Sequence, residues 1–88
     1  MRKVNLYAIR DNVGDFFNNP SCFMNDEIAI RSFHDLVNAG ESEVANHPSD
    51  FALFRLGVFD KIDGTVKAEK DPVRVCSGID VHTKGDKQ

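Results

Sequence analysis

The side chains with the clearest chemical potential are basic residues placed close to aromatic ones. They lie in three stretches predicted to be strands and comprise Lys3, Tyr7, Arg10, Phe54, Arg55 and Arg74. Proteins that bind single-stranded nucleic acids stack bases on aromatic faces beside arginines, at about 1–3 kcal/mol per stacked base. These six residues are therefore our candidate nucleic-acid-binding residues, with Lys3 and Arg74 as phosphate contacts.

Two observations weigh against this interpretation. The chain carries 11 Lys+Arg against 14 Asp+Glu, a net charge of −3, whereas phosphate neutralisation supplies most non-specific affinity for nucleic acids. Arg55 can equally pair with an acid across the sheet, and the aromatic rings can pack in the core. From the residues alone, core packing is the stronger alternative for the aromatic side chains.

Motifs for catalysis, phosphate binding or metal binding are missing from the sequence. It has no Gly-x-Ser-x-Gly, no Gly-x-x-x-x-Gly-Lys and no Gly-x-Gly-x-x-Gly. The three histidines stand in unrelated settings, and Cys22 and Cys76 lack the paired spacing of a zinc site. We therefore expect a non-enzymatic protein with no cofactor, no metal, no small-molecule substrate and two reduced cysteines.

The predicted order of elements is β-β-α-β-β. Strands are expected at residues 3–10, 21–24, 51–59 and 65–69, with a short edge segment at 72–76. The helix is expected to begin after Asn25, a good N-cap, and to end at Gly40, a natural C′ residue. Its apolar stripe comprises Ala29, Phe33, Leu36 and Val37. The stretch 41–50 reads as a polar connection.

The 88 residues are enough for one small domain, which we place at 1–81, followed by a flexible tail at 82–88. The fold class is α+β, a small antiparallel sheet with one helix packed on one face. No apolar run is long enough to span a membrane. The strands at 3–10 and 51–59 are apolar on both faces, so something must cover the second face. We favour a second copy of the chain, hence a homodimer through the sheet, over a partner protein or stacked bases.

The order of motifs resembles a known family. The series comprises Leu6-Tyr7-Ala8-Ile9-Arg10-Asp11, Asn25-Asp26 before Ala29-x-Arg31-x-Phe33, His47-Pro48-x-Asp50-Phe51-x-Leu53-x-x-Leu56-Gly57-x-Phe59-Asp60, and Val75-x-x-Gly78. It is similar to the small nonstructural protein of gokushoviruses, single-stranded DNA phages of the Microviridae, often called the fifth open reading frame protein. The likeness runs from about Leu6 to Val81.

The resemblance implies a non-capsid phage protein in the cytoplasm of the bacterial host. Its implied role is in DNA replication, at the switch to single-strand synthesis and packaging, by binding single-stranded DNA or the replication complex. No catalytic or binding residues come with the family. The alternative function is a homodimeric protein–protein interaction module that docks a viral or host protein without contacting DNA.

Overall fold

The computed structural model describes residues 2–40 and 42–81. They form an α+β fold with a small antiparallel sheet, as predicted, and the sheet has five strands. The strands are β1 (Lys3–Asp11), β2 (Phe16–Phe17), β3 (Ser21–Phe23), β4 (Phe51–Asp60) and β5 (Val66–Ser77). The helices are α1 (Asp26–Val37), α2 (Glu43–Asn46) and α3 (Gly78–Val81), with one 3₁₀ turn at Pro48–Asp50. The tail predicted at 82–88 lies outside the described residues.

The sheet has the strand order β2-β1-β4-β5, and β3 pairs with β1 along the same edge as β2. Strands β1 and β4 thus have neighbours on both sides and lie at the centre of the sheet. Strand β3 corresponds to the strand predicted at 21–24. Strand β2 was not predicted, because two residues are too short to show a strand periodicity.

One prediction about the last strand was wrong. Residues 65–69 and 72–76 were expected as separate segments, but β5 runs continuously from Val66 to Ser77. Its pairing with β4 is irregular opposite Leu53/Phe54 and Arg55/Gly57, where extra residues of β5 are accommodated. Because β5 is at the edge of the sheet, Pro72 can lie within it although it has no N–H to donate.

Helix α1 begins as predicted and ends earlier than predicted. The Asn25 side chain accepts a hydrogen bond from the backbone N–H of Ile28 and caps the N-terminus. The helix ends at Val37, with Asn38 as its C-cap. Gly40 adopts a φ of 95°, so it serves the connection after the helix rather than the cap.

The core lies between α1 and one face of the sheet. It consists of Tyr7, Ala29, Phe33, Val37, Val44, Phe51, Leu53 and Cys76. Val44 belongs to α2, inside the stretch predicted to be a polar connection. Helix α2 is capped by Ser42, which accepts from the N–H of Ala45. At four residues each, α2 and α3 are too short to show a helical period, which is why neither was predicted.

We expect Gly78→Ala to lower the free energy of unfolding by about 2–3 kcal/mol. A Cβ at this position would lie 2.1 Å from the carbonyl oxygen of Pro48 and 2.9 Å from its carbonyl carbon. Backbone must move to relieve that overlap, which separates α3 from the 3₁₀ turn. Urea unfolding followed by circular dichroism measures the loss. Ile79→Ala, at a side chain that is 55% exposed, is the matched control; equal midpoints for the two variants would contradict the prediction.

Candidate nucleic-acid interface

The sheet has one face without a helix. Residues paired across neighbouring strands share a face, and Tyr7 and Leu53 belong to the face that packs against α1. The alternate positions point away from α1, and we call their surface the helix-free face. Its paired positions are Val4, Leu6, Ala8, Arg10, Phe17, Cys22, Ala52, Phe54, Gly57, Phe59, Val66, Ala68, Arg74 and Ser77.

Two arginines and two phenylalanines form a cluster at one end of this face. The rings of Phe17 and Phe54 meet edge to face, with centroids 5.4 Å apart and an interplanar angle of 79°. The guanidinium carbon of Arg10 lies 5.2 Å from the centroid of the Phe17 ring. Arg74 lies directly opposite Phe54 on β5. We call Arg10, Phe17, Phe54 and Arg74 the arginine–phenylalanine cluster.

The cluster brings together three of the six predicted residues, namely Arg10, Phe54 and Arg74. Phe17 was missed, although its ring is 37% exposed and contacts two of them. The sequence feature that could have identified Phe17 is the Phe16-Phe17 pair, which follows the turn after β1. A strand folding back from that turn places one of the two rings beside Arg10.

The paired positions of the helix-free face carry positive charge. Arg10 and Arg74 are among them, and none of them is Asp or Glu. Arg10 pairs with Asp15, whose side chain is 82% exposed, and a surface ion pair of this kind contributes only about 0–1 kcal/mol. Arg74 makes no ion pair with any described residue. Hydrogen bonds from Ser77 lower the pKa of Asp80, and the charge of Arg74 adds to this effect. Both guanidinium groups can therefore receive an anion.

Tyr7 and Arg55 lie on the opposite face, which packs against α1. Both side chains donate hydrogen bonds to Asp26. The Arg55 guanidinium donates from Nε to Glu69 at 2.9 Å and from Nη1 to Asp26 at 2.8 Å. The Tyr7 hydroxyl donates to the second oxygen of Asp26 at 2.5 Å and accepts from the Asn5 amide at 3.0 Å. This network joins the start of α1 to β1, β4 and β5.

The network gives two of the predicted residues, Tyr7 and Arg55, a structural role. The Tyr7 ring is only 1% exposed and contacts Phe23 in the core, so its faces are closed to a base. Arg55 pairs with acids across the structure, the alternative that the sequence left open. The placement of both side chains follows from their register, since Tyr7 lies directly opposite Arg55 on the α1 side.

Lys3 is also separated from the cluster. It pairs with Asp60 at the far end of β1, on the same side of the sheet as Asn5 and Tyr7. Burial opposes the charge of Asp60, but hydrogen bonds from Arg2 and from two backbone N–H groups outweigh it, and with the Lys3 charge they lower the pKa of this carboxyl. Lys3 therefore contributes to a local charge balance around the β4–β5 turn.

A comparison with known protein families covers the chain from β1 to α3. Residues 4–81 match the family model described as Phage ORF5 protein. The chain belongs to the phage ORF5 protein family. The resemblance to a phage fifth open reading frame product is thereby confirmed. Comparison with curated proteins and with solved structures gives no match for this ORF5 family member.

The ORF5 family member was also considered as a membrane or metal-binding protein. Within residues 2–40 and 42–81, no helix is long and apolar enough to cross a membrane. The same part of the chain contains no group of three or more His, Cys, Asp or Glu side chains that could hold a metal ion.

Stability of this ORF5 family member should depend on pH in the alkaline range through Tyr7. Burial and the hydrogen bond to Asp26 raise the pKa of Tyr7 from 10.0 to about 12. A raised folded-state pKa stabilises the fold fully below pH 10 and loses that contribution as pH rises towards 12. The chain has one Tyr and no Trp, so phenolate absorbance reports this group alone. Titration of the folded protein near the ordinary pKa of 10.0 would contradict the prediction.

Proposed function

We propose that this phage ORF5 protein binds single-stranded DNA through the arginine–phenylalanine cluster and so assists phage DNA replication in the bacterial cytoplasm, without enzymatic activity. The observation that supports it most is the cluster itself, two cations beside two aromatic rings on a face whose paired positions carry no carboxylate. Membership of a phage family supports the setting in an infected host. The switch to single-strand synthesis and packaging is the step at which such binding would act.

The geometry of the cluster suits a flexible strand better than a duplex. Arg10 and Arg74 lie on β1 and β5, two strand spacings or about 10 Å apart across the sheet, and they are offset by two residues along it. Phe54 lies on β4 between them. A single strand that crosses the sheet can place phosphates on both arginines and a base against the intervening ring, which is how single-stranded binders combine stacking with charge.

The test is fluorescence anisotropy of a labelled oligothymidylate with the purified protein across a salt series. We expect saturable binding whose logarithm falls linearly with the logarithm of salt concentration, because each neutralised phosphate releases a counterion. The slope divided by about 0.7 gives the number of phosphate contacts on a single strand. A duplex of equal length, as competitor, should bind more weakly. Absence of binding at low salt would refute the proposal.

A second candidate function is supported by the other end of the sheet. None of the apolar side chains that form or pack against the core comes from the hairpin between Phe54 and Arg74. On this stretch Ile62 is 73% exposed and Val66 is 57% exposed, with Phe59 opposite Val66. Exposed apolar surface of this kind favours protein contacts. We propose that a second copy covers it; docking of a viral or host protein there, without DNA, is the alternative.

We expect Val66→Glu to convert a dimer into a monomer. An ionised carboxylate in the middle of an apolar contact would be desolvated without a partner, which costs more than the contact gains. Light scattering coupled to size-exclusion chromatography should give about twice the 9.8 kDa chain mass for the unmodified protein and one chain mass for the variant. Thr65→Glu, at the preceding exposed position, is the control for charge. A monomeric unmodified protein at high concentration would contradict the homodimer.

A further inference from the structure

A crevice of about 200 Å³ opens between α1 and the segment that joins β2 to β3. Its floor is apolar and partly aromatic, and the lining side chains that keep part of their surface exposed there are Ile9, Phe23 and Leu36. Pockets for drug-sized ligands measure about 300–1,000 Å³, so this crevice can hold a single ring system but not a whole nucleotide.

The mouth of the crevice is lined by uncharged polar side chains. They are the amides of Asn18 and Asn19 and the hydroxyls of Ser21 and Ser32. All four residues are exposed, and none of their side chains hydrogen-bonds to another described residue. An amide offers both donors and acceptors, and a hydroxyl offers one donor with acceptor capacity. The rim is therefore free to pair with the edge of a neutral ring placed on the floor.

We propose that this crevice binds one unstacked nucleobase. A base has apolar faces that suit the floor and an edge of donors and acceptors that amides and hydroxyls match, the mode by which splayed bases are recognised in single strands. A rim without charged side chains disfavours a charged ligand, because such a ligand would be desolvated without a counterion.

The position of the crevice connects it to the proposed DNA path. Asn18 directly follows Phe17 of the arginine–phenylalanine cluster, and its backbone N–H donates to the carbonyl of Ile9, next to Arg10. A strand that leaves the cluster around this edge of the sheet passes the mouth of the crevice. The inference rests on the proposed function for the supply of the base, and it adds a source of base preference that phosphate contacts do not provide.

The experiment is an amide NMR titration of the full chain, first with each free deoxynucleoside and then with short oligonucleotides. We expect shifts at Asn18, Asn19, Ser21 and Ser32, larger for one or two of the bases than for the others. Ser32→Leu, which fills the crevice from an exposed helix position, should abolish the nucleoside shifts and weaken oligonucleotide binding about tenfold. Asn18→Ala with Asn19→Ala should remove the base preference.

Controls and outcomes separate this inference from the proposed function. Ala39→Leu, just after α1, and Asn46→Ala, in α2, change exposed residues that do not line the crevice and should leave all shifts in place. Oligonucleotide binding with shifts confined to the helix-free face would overturn the crevice and leave the proposed function standing. Nucleoside shifts in the crevice without oligonucleotide binding would support the crevice and refute the proposed function. Shifts with benzene but with no nucleoside would show that the crevice binds any small apolar ring without recognising a base edge, and would overturn the inference.

Discussion

Replacing Arg10 and Arg74 together by Ala is expected to make the salt dependence of single-stranded DNA binding shallower by about 1.4 in log–log slope. The two guanidinium groups provide two phosphate contacts, and each contact on a single strand contributes about 0.7 to that slope. The affinity at low salt should fall about tenfold in the same double variant. Neither arginine belongs to the buried core, so the fold should be retained.

The control removes the same charge elsewhere. Arg31 is exposed on α1, and Lys67 pairs with Val58 on the α1 side of the sheet. Arg31→Ala with Lys67→Ala therefore lowers the net charge equally without touching the helix-free face. If DNA binds at the arginine–phenylalanine cluster, only the Arg10 and Arg74 replacements should change the slope of the salt dependence. Equal losses in both double variants would show a long-range field of the whole protein, and the site assignment would fail.

Replacing Arg55 by Leu is expected to lower the free energy of unfolding by about 3 kcal/mol. The guanidinium bridges Asp26 and Glu69, whose carboxylates would then lie near each other with no cation between them. Removing one partner of a buried pair costs about 3–5 kcal/mol. The side chains here retain 26–40% of their exposure, so solvent screening places the loss at the lower end.

The same variant separates a structural role from a DNA-binding one. Below its unfolding midpoint, folded Arg55→Leu protein should bind oligothymidylate as tightly as the unmodified chain, because Arg55 lies on the α1 side of the sheet. Arg31→Leu, on an exposed turn of α1, controls for the loss of one cation and should leave stability nearly unchanged. A stable Arg55→Leu protein with impaired DNA binding would reverse the assignment.

Much of the fold could be predicted because its strongest signals are local. Asn25 begins α1 through a hydrogen bond three residues away, and Ala29, Phe33 and Val37 recur at helical spacing. Strands β1 and β4 correspond to the strands predicted at 3–10 and 51–59, where apolar residues follow one another along the chain. By contrast, α2 and α3 are held by tertiary contacts: Val44 reaches the core and Gly78 touches Pro48, and neither contact leaves a periodic pattern.

The candidate site could be predicted only in part, because side-chain alternation does not reveal which set of positions faces the helix. Tyr7 and Arg10 are an odd number of residues apart on β1, as are Phe54 and Arg55 on β4, so each pair must divide between the two faces. Burial of Tyr7 against α1 settled the choice. A bulge at Leu56 then moves Phe59 to the helix-free face, against the simple alternation from Phe51. The position of a bulge depends on how two strands pair, and the composition of one strand does not show it.

The pairing of β1 with β4 also constrains how the chain can fold during synthesis. Lys3 pairs with Asp60 and Asp11 with Phe51, so the central pair of the sheet joins segments separated by about half the chain, with α1 between them. A growing chain that ends before β4 can form α1 but has no second central strand to pack it against, and closing so long a loop is slow compared with local helix formation. The apolar face of α1 therefore lacks its partners on β4, Phe51 and Leu53, until that strand has emerged from the ribosome.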